Sequence, residues 1–156
     1  MATDIKAKRF TDGTAAAATT IAAAQTLGGA GNMTLAGTAA TFGGTNLGQK
    51  ITLVSTGNIS AVTFTITGTD PTGASQTEDL TGPNNSTVTS TKYFNTVTQI
   101  AASGAVGTNT SSGVAADQGG TLFAGRTRVR GMHAVNAGAG TIFLNNSSID
   151  GSEILG

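Results

Sequence analysis

Few side chains in this sequence could carry out catalysis. His133 is the only histidine among 156 residues, and cysteine is absent. A Ser–His or Cys–His pair would therefore have to be built around His133. In the alternating run from Val129 to Val135, however, His133 shares a face with the two valines, which favours a packed strand residue over a general base. We predict that the protein is not an enzyme and uses no cofactor.

The acidic side chains are too scattered to indicate a metal or acid–base site. Glu78 and Asp79 are adjacent, so on a strand they point to opposite faces, and their expected role is solvation. Asp70 in GTDPTG and Asp150 in SIDGSE could each offer a carboxylate to calcium. Neither has the several spaced acidic ligands that such a site needs. The common occurrence of aspartate at turns accounts for both residues, and we predict no metal site.

The one concentrated charge feature is a stripe of arginines near the C-terminal end. The two-residue spacing of Arg126, Arg128 and Arg130 places them on one face of a strand. The stripe can protect an edge strand against uncontrolled pairing, or dock onto acidic groups of a neighbouring subunit. Direct binding of nucleic acid is less favoured, because aromatic residues suited to base stacking are not interleaved. Together with the basic N-terminus, the predicted partner-docking residues are Lys6, Lys8, Arg9, Arg126, Arg128 and Arg130.

The overall charge and hydropathy argue against nucleic acid and membrane partners. The formal net charge is zero, so no global field attracts nucleic acid or anionic lipid. No segment approaches the roughly 20 apolar residues of a membrane span. The N-terminal residues are charged and lack the apolar region of a secretion signal. We therefore expect a protein made in the cytoplasm.

The composition predicts short strands joined by tight turns. The chain contains 29 threonines, 24 alanines and 23 glycines. Threonine packs well on a pleated surface, and glycine supplies turns at little steric cost. The clearest strand is 61–68, where Val62, Phe64 and Ile66 alternate with threonines. About eight such segments, with turn signals such as 69–74 and 82–86 between them, predict an all-β fold, an antiparallel β-sandwich or jelly-roll-like domain with an extended N-terminal arm.

The predicted organisation is an arm followed by one domain. Residues 1–31 form the arm and an Ala/Thr-rich segment, and residues 32–156 form the sandwich. Within the arm, 14–31 fits a short Ala-rich helix by propensity and extended chain equally well. NMTLAG, from Asn32, is expected to be the first strand of the sandwich. GAVGTNTSSGVAADQGG, 104–120, is expected to hold at most one short strand, and RTRVRGMHAV and GTIFLNN to form a last hairpin.

The apolar material is thin for a solitary monomer. Hydrophobic residues make up 38% of the chain, but 24 of them are alanines and tryptophan is absent. Burying the larger apolar side chains gains about 2 kcal/mol each. The sum of these gains is smaller than the cost of ordering the chain, which is roughly 1.5 kcal/mol per residue. Burial against other copies would supply the difference. We therefore predict a homo-oligomer.

Two long segments resemble small β-rich structural proteins of tailed bacteriophage virions. They are VSTGNISAVTFTITGTDPTGASQTEDLTGPN and STKYFNTVTQIAASGAVGTNTSSGV, and the segments around them are similar. The resemblance carries over no catalytic or ligand residue. It implies a virion component: a head decoration or cement protein, a head fibre, or a tail-associated protein.

The resemblance also implies partners and a location. The expected partners are further copies of the chain, most simply in a trimer, and the major capsid protein or another virion protein. The expected location is the virion, and the arm 1–13 would reach a neighbouring subunit. A cell-surface adhesin or carbohydrate-binding module remains the alternative, for which exposed aromatic platforms would be expected.

Overall fold

The computed structural model describes residues 8 to 120. The chain divides into two compact units, Met1–Ala124 and Gly125–Gly156, and all described residues belong to the first. This part of the chain is built from strands and one short 3-10 helix at Gly37–Ala40. The strands are β1 (Ala17–Leu27), β2 (Gly31–Asn32), β3 (Gly48–Ser55), β4 (Thr63–Thr69), β5 (Ser75–Thr81), β6 (Thr87–Phe94), β7 (Thr96–Ala102) and β8 (Val106–Gly119).

The strands form two antiparallel four-stranded sheets packed as a sandwich. The first sheet has the order β1-β8-β3-β6 and the second has the order β2-β7-β4-β5. Strands β1 and β8, β2 and β7, β3 and β6, and β4 and β5 each pair antiparallel. The fold is thus a ribbon of four strand pairs rolled over into two layers, which is a jelly roll. The predicted fold class is confirmed.

The space between the sheets is filled by large apolar side chains. On β4, Phe64 and Ile66 are fully buried, whereas the threonines between them point outwards. The predicted alternation of this strand is therefore confirmed. Three phenylalanines, Phe42, Phe64 and Phe94, are among the largest side chains with no exposed surface. The interior of the described sandwich is therefore a packed hydrophobic core.

The Ala/Thr-rich segment that fitted helix and extended chain equally well is extended. It forms β1, an edge strand that pairs with β8 and shifts register three times along its length. Only Ile21 and Ala22 are buried, and the exposed alanines around them give a helix no apolar stripe to bury. The helical alternative is wrong, and residues 17 to 27 of the predicted arm form a strand of the sandwich.

The expectation of at most one short strand in 104–120 is wrong, because β8 spans 14 residues and is the longest strand within residues 8 to 120. Its inward side chains include Thr110 and Ser112, which are fully buried although they are polar. The Ser112 hydroxyl donates to the carbonyl of Thr52 at 3.0 Å, which satisfies it inside the protein. Because these inward residues are polar, the sequence of β8 does not show the alternation of apolar and polar residues that predicts a strand.

The predicted strand NMTLAG is mostly irregular. Gly31 and Asn32 pair with β7, and the Met33 amide donates to the Ile100 carbonyl at 2.9 Å, after which the chain turns back along the outer edge of β1. The Ala36 amide donates to the carbonyl of Ile21 at 2.7 Å, and Met33 and Ala39 enter the core. This segment closes one lateral side of the sandwich. The predicted hairpin of RTRVRGMHAV and GTIFLNN lies outside the described residues.

Candidate assembly surfaces

The antiparallel strands collect the loops into two ends, and one end carries no charge. Leu27 pairs with Val106, and Val54 pairs with Thr87, so the loops next to these residues lie together. We call this the neutral end. It consists of the loops 28–30, 56–62, 82–86 and 103–105, in which every residue is uncharged. Glycine, asparagine, serine and alanine supply most of its surface.

The opposite end holds most of the charges in the described part of the chain, and we call it the charged end. The chain also enters and leaves the described sandwich here, at Lys8 and Gly120. Glu78 and Asp79 lie midway along β5. The other charged residues lie at this end, in its loops or near the adjoining strand termini: Lys8, Arg9, Asp12, Lys50, Asp70, Lys92 and Asp117.

Residues 8 to 14, which we call the arm strand, lie against the chain's own loop 41–46. The Thr11 amide donates to the Thr45 carbonyl at 3.2 Å, and the Thr45 amide donates back at 3.3 Å. The Thr14 amide donates to the Phe42 carbonyl at 2.7 Å, and the Asn46 side-chain amide donates to the Arg9 carbonyl at 2.7 Å. The described part of the predicted arm is therefore extended and specifically bound.

Gln49 fastens the arm strand to the sandwich. This side chain is fully buried, and its Nε2 donates to the carbonyl of Thr14 at 2.8 Å and to that of Ala115 at 3.1 Å. Its Oε1 has no hydrogen-bond partner among the described residues. Because a buried amide is costly to leave unpaired, the two Nε2 bonds define where the arm strand lies.

Two of the six predicted docking residues fall in the described part of the chain. Lys8 is half-buried, with its Nζ 5.6 Å from the centre of the Phe10 ring, and Arg9 is exposed. Both lie on the arm strand at the charged end. Lys6 and the arginines Arg126, Arg128 and Arg130 lie outside the described residues, as do His133 and Asp150.

The structure adds a polar cluster on the first sheet that the sequence did not indicate. Lys50 Nζ lies 3.1 Å from Asp117 Oδ2 and 5.4 Å from the centre of the Tyr93 ring. The hydrogen bond to Asp117, with a smaller contribution from Tyr93, raises the pKa of Lys50 above its usual value of 10.5. These residues lie on β3, β8 and β6, so only strand pairing brings them together.

Asp70 organises the β4–β5 turn. Its Oδ1 accepts hydrogen bonds from the Thr72 amide and hydroxyl, both at 2.7 Å, and from the Ala74 amide at 3.0 Å. Burial alone would raise the pKa of Asp70, but these hydrogen bonds outweigh it and hold the pKa below 3.8. The hydrogen bonds of Asp70 Oδ1 thus fit the role predicted for an aspartate at a turn. Within residues 8 to 120 no group of three or more His, Cys, Asp or Glu side chains could hold a metal ion.

Glu78 and Asp79 point to opposite faces of β5, as predicted, and Glu78 has a structural role beyond solvation. Asp79 accepts a hydrogen bond from the Thr65 hydroxyl at 2.6 Å. The Glu78 carboxylate reaches β6 in the other sheet, where it accepts from the amides of Thr91 at 2.7 Å and Lys92 at 2.9 Å. Glu78 thus closes the lateral side of the sandwich where the edge strands β5 and β6 meet.

The outer face of the second sheet is a regular array of hydroxyl groups. On β4, Thr63, Thr65, Thr67 and Thr69 all point outwards. Thr63 pairs with Thr81 of β5, and Thr67 and Thr69 pair with Thr77 and Ser75. Such cross-strand pairs of hydroxyl residues stabilise a sheet.

The aromatic side chains offer no exposed platform within residues 8 to 120. Phe42, Phe64 and Phe94 are buried, and Phe10 and Tyr93 are half-buried. No helix in this part of the chain is long and apolar enough to span a membrane.

Comparisons with protein-family models, with curated proteins and with solved structures found no match for this chain.

Proposed function

We propose that this chain is a structural virion protein of a tailed phage, acting as a capsid decoration or cement protein that stabilises the head through subunit contacts. The jelly-roll topology with a packed interior is the observation that carries the proposal. This topology recurs in viral capsid proteins. Because the interior is filled by side chains such as Phe64 and Phe94, the outer surfaces are what the protein offers to partners.

The separation of neutral and charged surfaces supports an assembly role. From Gly13 to Gln49 the chain contains no charged residue, and this stretch supplies β1, β2 and the segment that closes the sandwich beside them. A neutral surface can be buried between copies without the desolvation penalty that charges incur. On this proposal, neutral surfaces pack copies together in a homotrimer.

The charged end then meets the larger particle. It carries Lys8 and Arg9, and the arginine stripe 126–130 follows Gly120 in the sequence. Charge-assisted hydrogen bonds from these side chains to acidic groups of the major capsid protein would fix the orientation of the trimer. Replacing Arg126, Arg128 and Arg130 by glutamate is expected to abolish sedimentation with particles while leaving the fold intact. Unchanged co-sedimentation would remove the stripe from the docking surface.

Self-association is tested by the mass of the protein in solution. Light scattering after size exclusion is expected to give three times the 15.3 kDa of one chain. Ala30→Lys places a charge on the neutral end and is expected to lower this mass. Ala74→Lys, at an exposed alanine of the β4–β5 turn, is the matched control and should leave the mass unchanged. A wild-type mass of one chain at all concentrations would overturn the proposed self-association.

The virion role is tested on particles of a phage that encodes the chain. Deleting the gene is expected to give heads that release DNA at a lower temperature. Gold-labelled antibody against the chain should mark the heads of wild-type particles in electron micrographs. Label on the tail or on fibres would favour the alternative of a tail- or fibre-associated protein, and absence of label would overturn the virion role.

A carbohydrate-binding module is the second candidate, because lectin domains share the jelly-roll topology. The hydroxyl array on the second sheet could donate to and accept from sugar hydroxyls. Stacking on sugar rings would require exposed aromatic residues, and the five aromatics within residues 8 to 120 are buried or half-buried. A glycan array decides between the two functions. Saturable binding, lost in Thr65→Ala with Thr67→Ala, would favour the carbohydrate-binding role.

A further inference from the structure

The arm strand and the loop on which it lies fit each other closely. We call the residues that receive the arm strand, Phe42, Thr45, Asn46 and Gln49, the acceptor groove. A Cβ on Gly13 of the arm strand would collide with the Phe42 carbonyl oxygen and the Gln49 side chain. Gly44 of the loop has a φ of +69°, and a Cβ there would collide with the Thr11 carbonyl oxygen. Because both partners need a glycine for this approach, the groove is specific for this segment.

The connection between the arm strand and the sandwich is short. Thr14 is held by Phe42 and Gln49, and Ala17 already pairs with Val114 of β8. Only Ala15 and Ala16 lie between them, and both are exposed and belong to no strand. A short connection between two fixed elements is a kind of hinge at which terminal elements are exchanged between copies.

The arm strand is held mainly through polar contacts that do not depend on which copy supplies it. They include the paired amides and carbonyls of Thr11 and Thr45 and the side-chain bonds from Asn46 and Gln49. A second copy can make the same contacts with its own arm strand. When copies are close together, the effective concentration of a neighbouring arm rises, so exchange needs no additional contact.

We propose that the arm strand is exchanged in the assembled protein, so that residues 8 to 14 of one copy occupy the acceptor groove of a second copy. This proposal rests on the proposed self-association and assigns a mechanism to it. Exchange around a closed ring would link each copy to the next one. It would also make the assembly slow to dissociate, because each arm strand must leave its groove before a copy is released.

A disulfide trap tests the exchange, and the natural chain contains no cysteine to interfere. Thr11 and Thr45 exchange both backbone hydrogen bonds, a geometry in which the Cα atoms lie about 5.5 Å apart. This separation suits a disulfide. The double variant T11C/T45C is produced both unlabelled and labelled with ¹⁵N. The two preparations are mixed, unfolded, refolded together and oxidised at the concentration used for the mass measurement.

Mass spectrometry of the linked peptides then reports the origin of each arm. Exchange predicts that about half of the peptide pairs joining positions 11 and 45 contain one labelled and one unlabelled partner. Pairs of uniform label only would overturn the exchange, provided that light scattering still shows an oligomer. A single-chain mass would overturn the proposed self-association as well, so the two failures are distinguishable.

The control variant T45C/T72C places the second cysteine on the exposed β4–β5 turn, away from the groove. It should give no comparable yield of linked peptides, and an equal yield would mean that the trap reports random collisions and not exchange. Circular dichroism of both double variants must match that of the wild type.

Discussion

The neutral end and the charged end of the sandwich both use main-chain hydrogen bonds, but a carboxylate takes part only at the charged end. At the neutral end, loops are joined through the main chain: the Ile59 amide donates to the Pro83 carbonyl at 3.0 Å, and the Asn85 amide donates to the Gly57 carbonyl at 2.9 Å. At the charged end, main-chain bonds such as those between Thr11 and Thr45 are joined by side-chain bonds, with Gln49 donating to the arm strand and Asp70 accepting within its turn. Both ends are therefore sensitive to backbone packing, and the charged end is also sensitive to the chemistry of the Gln49 amide and the Asp70 carboxylate.

On the proposed function, this difference would let one small domain present two surfaces with separate roles. The main-chain hydrogen bonds that join the loops of the neutral end need no charged group. This end can therefore be buried in an assembly without leaving ionised groups unpaired. At the charged end, ionised groups such as Arg9 and Asp117 are exposed, and on the proposed function they would meet a polar partner. These groups should also make the charged end responsive to pH and ionic strength, while the neutral end should be insensitive to both.

The largest effect is expected from crowding the main chain of the neutral end. In Gly82→Val the new side chain would collide with the Ile59 carbonyl oxygen, and destabilisation of about 3 kcal/mol is expected. Urea denaturation measures this change. Gly29→Val lies at the same end with open space around its Cβ and should lose less than about 1 kcal/mol. Equal losses would contradict main-chain closure of this end.

At the charged end, removing the buried Gln49 amide is expected to cost about 2 kcal/mol, because the half-buried carbonyls of Thr14 and Ala115 lose their donor. The variant Gln49→Met keeps the size of the side chain and also removes the unpartnered Oε1, which limits the loss. Limited proteolysis should detect earlier cleavage around Ala15. Gln118→Met, at an exposed position of β8, should change neither stability nor cleavage.

The acid sensitivity of the charged end is expected to depend on Asp70. Because its folded pKa lies below 3.8, the ionised carboxylate stabilises the fold above this pH, and the contribution is lost as the pH falls through the folded pKa. Asp70→Asn should therefore lower stability by about 1 kcal/mol at pH 7. Its Tm should approach the wild-type value as the pH falls through the folded pKa of Asp70. A constant Tm difference from pH 2 to pH 7 would contradict this account.

The smallest effect is expected from the Lys50–Asp117 ion pair. The two side chains are 26% and 63% exposed, so Asp117→Asn should cost about 0.5 kcal/mol at low ionic strength. In 1 M salt the difference should vanish, because exposed charges are screened. Thermal unfolding at the two salt concentrations measures it. A loss that persists in high salt would mean that packing of Lys50 on Tyr93 dominates.

The candidate surfaces were only partly predictable from the sequence. The charge-free stretch from Gly13 to Gln49 is visible in the sequence, and so is the basic N-terminus that includes Lys8 and Arg9. The acceptor groove was not predictable, because its contact with the arm strand joins residues such as Thr11 and Thr45 that are distant in sequence. The role of Glu78 was missed for the same reason, since its partners lie on a strand of the other sheet.

The sequence by itself determined those elements whose conformation depends only on residues close together in the chain. The alternation of Phe64 and Ile66 with threonines marks β4, and Asp70 marks its turn, since side-chain direction along a strand and hydrogen bonding within a turn are local. Only the tertiary structure decided the extent of β8, because the hydroxyl of Ser112 can be buried only where the folded chain supplies a partner, here the carbonyl of Thr52. It also decided that the Ala/Thr-rich segment is a strand, since β8 offers it an edge with which to pair.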